Sequence, residues 1–179
     1  MRIGIITTIS IGILLQASLM FAATFPSVEG KHFDGKAFQF PADLLDDRPL
    51  VIALTLSSSR KNGEQQQEEL LLWHEGFKTQ PSLIKGNPVY NLTIVGGAPF
   101  FVRGAIRKGI AEGYEPQLSG QEGGVVFLSD TRQFINDAGI PIDGQPTLVV
   151  VDPDGSIRGY VKGTYRQQNL QALSLLLER

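Results

Sequence analysis

The stretch from Gly144 to Gly163 constrains this chain more than any other. Leu148-Val149-Val150-Val151 is a short, β-branched apolar run, the pattern of a strand buried on both faces. Asp152-Pro153-Asp154-Gly155 has turn chemistry throughout: Asp suits the first position, Pro presets φ, and Gly supplies the positive φ that ends the loop. Ile157, Gly159 and Val161 then alternate with Arg158, Tyr160 and Lys162, as a half-exposed return strand requires. A hairpin is expected here. Pro146 is the unusual residue, because proline cannot donate to a ladder and belongs at the first residue of a strand or at an edge.

Other strands and helices can be placed around that hairpin. Phe25 to Phe40 predicts an N-terminal hairpin turning at Asp34-Gly35. Pro41 to Pro49 predicts a loop or a single helical turn. Leu50 to Leu56 is nearly all apolar, which predicts a buried, parallel-paired strand. A helix is expected from about Glu64 to Lys78, N-capped by Asn62, with Leu70, Trp73 and Phe77 on its buried stripe. Val89 to Val95 predicts a third strand. Pro99 opens a helix with Val102, Ile106 and Ile110 on one side and Arg103 and Arg107 on another, weakened by Gly104 and Gly109. Tyr114 to Gly124 reads as a polar loop, and Val125 to Leu128 as a fourth strand. A short helix capped by Ser129 or Asp130 and closed by Gly139 follows. Thr164 to Gln167 has the form of a capping box before a terminal helix carrying Leu170, Leu173 and Leu177. This order predicts an α/β fold with a mixed central sheet and helices on both faces.

The first 23 residues form a separate object. Arg2, an apolar stretch from Ile3 to Leu15, and Ala17, Ala22 and Ala23 describe a secretory signal. Cleavage after Ala23 places Phe21 where a small residue is preferred, so an uncleaved anchor of roughly 20 residues stays open. The expected organisation is a signal peptide or membrane anchor at 1–23 and one domain at 24–179. Its location is periplasmic or otherwise extracytoplasmic, with attachment to the inner membrane through the N-terminal segment as the alternative. Net charge is −2, and removal of Arg2 with the segment leaves 15 basic and 18 acidic side chains, −3. No basic field exists to hold a nucleic acid, so nucleic-acid binding is set aside.

The Gln145-Pro146-Thr147 corner and the Val151 to Gly155 hairpin resemble the thioredoxin-like superfamily, on the branch of peroxiredoxin-like and periplasmic thiol-exchange proteins. Phe100 to Ile110, Val126 to Thr131 with Phe134, and Ala138 to Pro141 are similar to cysteine-free bacterial relatives of the thioredoxin-like assembly factor for the mitochondrial ATP synthase membrane sector. The resemblance implies a cis-proline at Pro146. It also implies a role in assembly or as a chaperone, not a reaction. The chain contains no cysteine, which excludes disulfides, thiolate metal sites and thiol-based redox chemistry. Where redox members carry the attacking cysteine, this chain has Ser57-Ser58-Ser59-Arg60-Lys61. A serine hydroxyl does not replace a sulfur that is oxidised and recycled.

The candidate binding residues are therefore Ser57, Ser58, Ser59 and Arg60 in that loop, Gln145, Pro146 and Thr147 at the corner, and Arg103 and Arg107 on the helix. Hydroxyls, a helix N-terminus and cations suit an anionic or peptide group; a solvated turn is the alternative. The 99–112 helix, with Phe100 and Phe101 at its head, offers contact to an anionic membrane surface or a partner, against an ordinary solvated face. His32 and His74 lie in no motif, so neither a Ser-His-Asp site nor a zinc site is expected. Catalytic residues, metal and cofactor are all expected to be none. Asp152-Pro153-Asp154-Gly155 lacks the later ligands of a calcium loop. Asn91-Leu92-Thr93 matches a glycosylation sequon inside a predicted strand, which disfavours its use.

Three functions follow. The first is an exported, non-catalytic protein binding a polypeptide or helping to assemble an envelope complex. In redox relatives the cis-proline edge pairs with an extended peptide, and such backbone pairing needs no cysteine. The alternatives are an enzyme with a non-thiol mechanism, of a glutathione-binding type, at the same corner, or a purely structural accessory domain.

Overall fold

The computed structural model describes residues 23–57 and 59–178. The expected signal or anchor at 1–23 therefore lies, except for Ala23, outside the described residues. So does Ser58. No helix among the described residues is long and apolar enough to cross a membrane.

Seven strands form one mixed sheet: β1 Val28–His32, β2 Ala37–Phe40, β3 Leu50–Leu56, β4 Val89–Gly96, β5 Gly123–Leu128, β6 Thr147–Val151 and β7 Ile157–Lys162. Their order across the sheet is β2-β1-β5-β4-β3-β6-β7. The apolar β3 run is parallel to β4 and antiparallel to β6, with Leu56 opposite Ile94 and Leu54 opposite Thr147. The four helices are α1 Arg60–Thr79, α2 Arg103–Tyr114, α3 Arg132–Ala138 and α4 Gln167–Leu177. Alternation along the central strands separates two cores. Val51, Ala53, Leu148 and Val150 face Trp73 and Phe77 of α1 and Leu170 and Leu173 of α4. Ile52, Leu54, Val149 and Val151 pack with Phe134 of α3 and with Phe38 and Phe40. A smaller cluster joins Tyr114 of α2 to Phe33 and Val125, the two aromatic rings stacked 5.3 Å apart.

The structure moves several boundaries. α1 starts at Arg60, and its N-cap is Ser59, whose hydroxyl accepts the Asn62 N–H at 3.3 Å. Asn62 is thus a helical residue, because the serine oxygen reaches the first unpaired donors before the asparagine can. Thr164 and Gln167 do not form a capping box; α4 is preceded by Arg166, and Thr164 instead offers its carbonyl to Asn169 Nδ2. α3 is preceded by Thr131, while Asp130 takes the Arg132 N–H at 2.9 Å. β5 begins two residues early, at Gly123. A Cβ there would fall 2.2 Å from the Phe33 ring, and one at Gly124 2.4 Å from the Tyr90 hydroxyl. These glycines are strand residues that leave room for aromatic neighbours. α2 runs on to Tyr114, which is buried.

The cis X–Pro bonds among the described residues precede Pro41 and Pro116, and the Gln145–Pro146 bond is not among them. This corrects the cis-proline expectation. The trans form is intrinsically preferred for X–Pro bonds. With it the corner is held by Asn62 Nδ2 on the Gly144 carbonyl and the Gly163 N–H on the Pro146 carbonyl, both at 2.9 Å. Asn91 of the sequon is buried in β4, its side chain bonded to His74 and to the Glu122 carbonyl.

Candidate functional site

The parallel strands β3 and β4 end side by side, and the antiparallel β6 begins there. The Ser57 loop, the Pro146 corner and the turn before α2 therefore collect at one end of the sheet. In open α/β sheets ligands bind at such carboxyl ends.

The loop after β3 is closed from within. Ser57 Oγ donates to the Ser59 carbonyl at 2.6 Å, lies 2.9 Å from Asn62 Oδ1, and accepts the Ser59 N–H at 3.1 Å. Arg60 is exposed and paired with Glu64 at 2.7 Å one turn along α1. The N-terminus expected to hold an anion is thus capped by Ser59, and its arginine is matched. Beneath the loop lies Gln66, only 1% exposed, which sequence reasoning missed. Its Oε1 accepts the Leu56 N–H at 3.1 Å, and its Nε2 donates to the Leu56 carbonyl at 3.0 Å and to Asn62 Oδ1 at 2.8 Å. Asn62 then reaches across to Gly144. One polar chain runs from strand end to helix to corner. A signal existed, since Gln66 sits four residues before Leu70 on the same stripe as Trp73 and Phe77.

The eight described candidate residues do not form one surface. Gln145 and Pro146 line a polar cavity of about 350 Å³ between α1, the corner and the start of α4. Asn62, Gln65, Glu69 and Arg166 share that cavity, and Glu69 Oε2 is buried there without a hydrogen-bond partner. Ser57, Ser59 and Arg60 instead line a second cavity, of about 510 Å³, between α1 and α2. Thr147 is buried in the sheet, its hydroxyl 3.4 Å from the Gln145 carbonyl. Arg103 and Arg107, offered as binding residues, are half-buried and bond within the chain: Arg103 Nε donates to the Ala98 carbonyl at 3.0 Å and Arg107 to the Phe33 carbonyl. Turns leave these carbonyls without ladder partners, and a guanidinium on a long apolar stem reaches them. Arg103 also lies over the Phe127 ring.

The backbone of the corner is likewise occupied. The Gly144 carbonyl takes Asn62, and the Gln145 N–H donates to Asp143 Oδ1 at 3.2 Å. Neither histidine lines these cavities. His74 Nε2 is 2.7 Å from Asn91 Oδ1, and His32 Nδ1 is 2.9 Å from the Tyr90 hydroxyl. Burial lowers the His74 pKa from its ordinary value, with the Asn91 contact acting the other way. Among the described residues no group of three or more His, Asp or Glu side chains is placed to hold a metal ion.

Phe100 and Phe101, read from the sequence as the head of a contact helix, stand out from the surface. They are 86% and 85% exposed, on a 3₁₀ turn of Phe100–Val102 that leads into α2. Arg103 braces this turn through Ala98.

No protein-family model matches the chain, and no curated protein matches it. Solved structures do. Yeast Sco1 with copper bound aligns at a TM-score of 0.59 and 14% identity, over 87% of this chain and 91% of that one. BsSco, a member of the Sco family of cytochrome c oxidase assembly proteins, aligns at 0.56 and 14%, over 87% and 92%. The thioredoxin domain of a thiol-disulfide oxidoreductase from Bacteroides vulgatus aligns at 0.51 and 16%, over 89% and 99%. At these identities the likeness speaks for the fold, and the β3–β6 pairing beside the Ser57 loop and Pro146 agrees with it. The chain has a thioredoxin-like fold, built without a single cysteine.

Proposed function

We propose that this chain is an exported, non-catalytic thioredoxin-fold protein that holds a polypeptide during assembly of an envelope complex. The observation that carries the reading is the pair Phe100 and Phe101, two consecutive aromatic side chains almost wholly in solvent. Aromatic anchors of this kind contribute most of the binding energy in many protein interfaces. A braced turn presents them, so little ordering is left to oppose binding. They stand at the end of the sheet shared with the Pro146 cavity, where Gln65, Gln145 and the unpartnered Glu69 oxygen suit the N–H and C=O groups of a peptide. The chain enters the domain elsewhere: the Ile157 N–H donates to the Ala23 carbonyl, and Thr24 bridges to Ser156, at the far end of β6. An N-terminal tether would therefore leave the aromatic pair facing away from it, which favours a protein partner over the tethering membrane.

Backbone pairing at the corner, the mode implied by the redox relatives, is not part of this reading, because Gly144 and Gln145 have internal partners. BsSco belongs to a family of assembly proteins, and an assembly role is the part of that likeness taken up here. Copper is not, since the chain has no cysteine and no cluster of other ligands among its described residues. The ATP synthase membrane sector is the first complex to test, on the sequence resemblance. A photo-crosslinking side chain at position 101, introduced in the native host, should join the protein to one subunit of that complex. Replacing both phenylalanines by aspartate should abolish the crosslink and lower the yield of assembled complex. Wild-type yield from the double aspartate variant would sink the proposal.

A further inference from the structure

Charge is unevenly matched in the corner cavity between α1, Pro146 and the start of α4. Lys162 has its partners, since its Nζ lies 2.8 Å from Asp143 Oδ2 and donates to the Pro141 carbonyl at 2.7 Å. Arg166 also lines the space, but it is exposed to water. Glu69 is half-buried and differs from both. The residues three and four positions from it along α1 are Gln65, Gln66, Leu72 and Trp73, so the helix supplies it with no cation. Glu64 and Glu112, by contrast, each pair with a basic residue one turn before them, Arg60 and Lys108. Among the described residues no basic group comes within ion-pair distance of the Glu69 carboxylate, and Oε2 is shut off from water without a hydrogen-bond partner. A partly desolvated carboxylate without a counter-charge weakens the folded state, and glutamine would fit a half-buried helical position equally well. The unmatched charge marks a place where a cation from outside the chain completes the pairing.

The walls are polar. Asn62 and Gln66 are committed to the network under the Ser57 loop, and Asn169 donates to the Thr164 carbonyl. Gln65, Gln145 and Gln168 bring further side-chain amides to the cavity. At about 350 Å³ it is at the small end of ligand sites, room for one side chain and not for a folded element. The carboxylate also restricts how a cation can approach. Oε2 is covered, so only Oε1 is open to a ligand. A guanidinium fork is strongest when it engages both oxygens of a carboxylate, which this arrangement prevents. An ammonium is a compact charge with three rotatable donors; it needs one oxygen and keeps donors for neighbouring amide carbonyls.

We propose that the corner cavity receives the ammonium group of a lysine side chain carried by the bound polypeptide, with Glu69 Oε1 accepting from it. This inference rests on the polypeptide reading above and adds to it the side chain that the cavity selects. The amides of Gln65 and Gln145 serve the remaining ammonium donors, and Gln168 is left for the peptide group that carries the lysine. Phe100 and Phe101 contribute apolar contact and the cavity contributes charge, so a segment with both an apolar surface and a lysine is the one this end of the sheet fits.

The test titrates the purified full chain with Nα-acetyl-lysine methylamide, and separately with its Nε-acetylated form, the arginine counterpart and butylamine. Amide shifts locate each probe. The lysine probe should perturb Gln65, Glu69, Gln145 and residues 163–169 saturably. Acetylation of its ammonium and the Glu69→Gln substitution should each weaken it about 10-fold or more, and the arginine probe should bind several-fold more weakly. Arg166→Gln, which removes a like charge, should leave the lysine probe bound equally well or tighter, and Phe100→Ser should leave it unchanged. Glu69→Gln should melt no lower than wild type, because it removes a charge that the free protein leaves unmatched. Several results would overturn the proposal. One is the absence of saturable shifts around the cavity; another is equal affinity in wild type and Glu69→Gln. A lower melting temperature for Glu69→Gln would mean that Arg166 serves the carboxylate in solution. Butylamine binding as tightly as the lysine probe would assign the cavity to a free amine. Loss of the lysine probe with the position-101 crosslink intact removes this inference alone. A bound lysine probe with the crosslink missing removes the polypeptide reading, and the assignment to a polypeptide lysine falls with it.

Discussion

Replacing Gln66 by methionine removes the clamp between the end of β3 and α1 while keeping side-chain length. The glutamine makes three hydrogen bonds, two of them to the N–H and carbonyl of Leu56. A buried backbone group left without its partner costs about 1–3 kcal/mol. Two such groups give about 2–6 kcal/mol, and burying the thioether in place of an amide returns part of this. The expected net loss is about 2–4 kcal/mol, which for a domain of this size lowers Tm by about 5–15 °C. Urea unfolding followed by fluorescence of the single, buried Trp73 reads it directly. The midpoint should fall with an unchanged slope, because the surface exposed on unfolding stays the same. Gln67→Met is the control: its side chain is partly exposed and makes one hydrogen bond, to the Ile110 carbonyl at 2.9 Å, so it should lose no more than about 1 kcal/mol. A Gln66→Met protein within about 0.5 kcal/mol of wild type would refute the clamp, since water would then be serving Leu56 equally well.

Two further outcomes are expected. Burial lowers the His74 pKa in the folded state below its value of 6.5, so the unfolded chain takes up this proton first as pH falls; stability should drop between about pH 7 and 5, by up to about 1.4 kcal/mol per pH unit. His74→Gln should flatten that slope, and an unchanged slope in paired urea titrations at pH 7.5 and 5.5 would contradict the assignment. Glycine to alanine should act in opposite directions at two helical sites. Gly104→Ala meets no neighbour within 4 Å and should gain up to about 1 kcal/mol, whereas Gly76→Ala places its Cβ 2.3 Å from the Tyr165 ring and should lose about 1–3 kcal/mol, both measurable by thermal melting.

The strands were the most legible part of the sequence because burial on both faces leaves only apolar residues available, as in Leu50 to Leu56 and Leu148 to Val151. Where glycine has a tertiary reason, the local signal misled. Gly123 and Gly124 look like loop and are strand, their missing side chains replaced by the Phe33 ring and by Tyr90 and Phe38. Gly63 and Asn62 look like the threshold of a helix and lie inside one, because Ser59 caps earlier. Tyr114 extends the Ile106 and Ile110 stripe by one more turn, and its aromatic contact with Phe33 is invisible without the fold. The neighbourhood of the candidate residues was legible in part, and the partners of their side chains were not. Position along the chain brings the Ser57 loop and Pro146 together. It does not reveal that Arg103 and Arg107 serve nearby carbonyls or that α1 separates the loop's cavity from the corner's.

That separation bears on which groups are free to bind anything. Around Ser57, the described side chains and peptide groups named above have partners supplied by Ser59, Asn62, Gln66 or Glu64, and a fully satisfied network of this kind is stiff. It offers a ligand no group that binding would improve. Glu69 Oε2, on the side of α1 toward the corner and α4, is buried without a hydrogen-bond partner, whereas Thr55 Oγ1 and the Tyr114 hydroxyl, on the side toward α2, lie against each other. Desolvated polar atoms without partners weaken the folded state, so an occupant that supplies them gains affinity by relieving a defect already present in the chain. The loop after β3 is in this molecule closed by its own hydrogen bonds and by Gln66 beneath it. The places with something to gain from a partner are the corner cavity that holds Glu69 and the exposed pair Phe100 and Phe101.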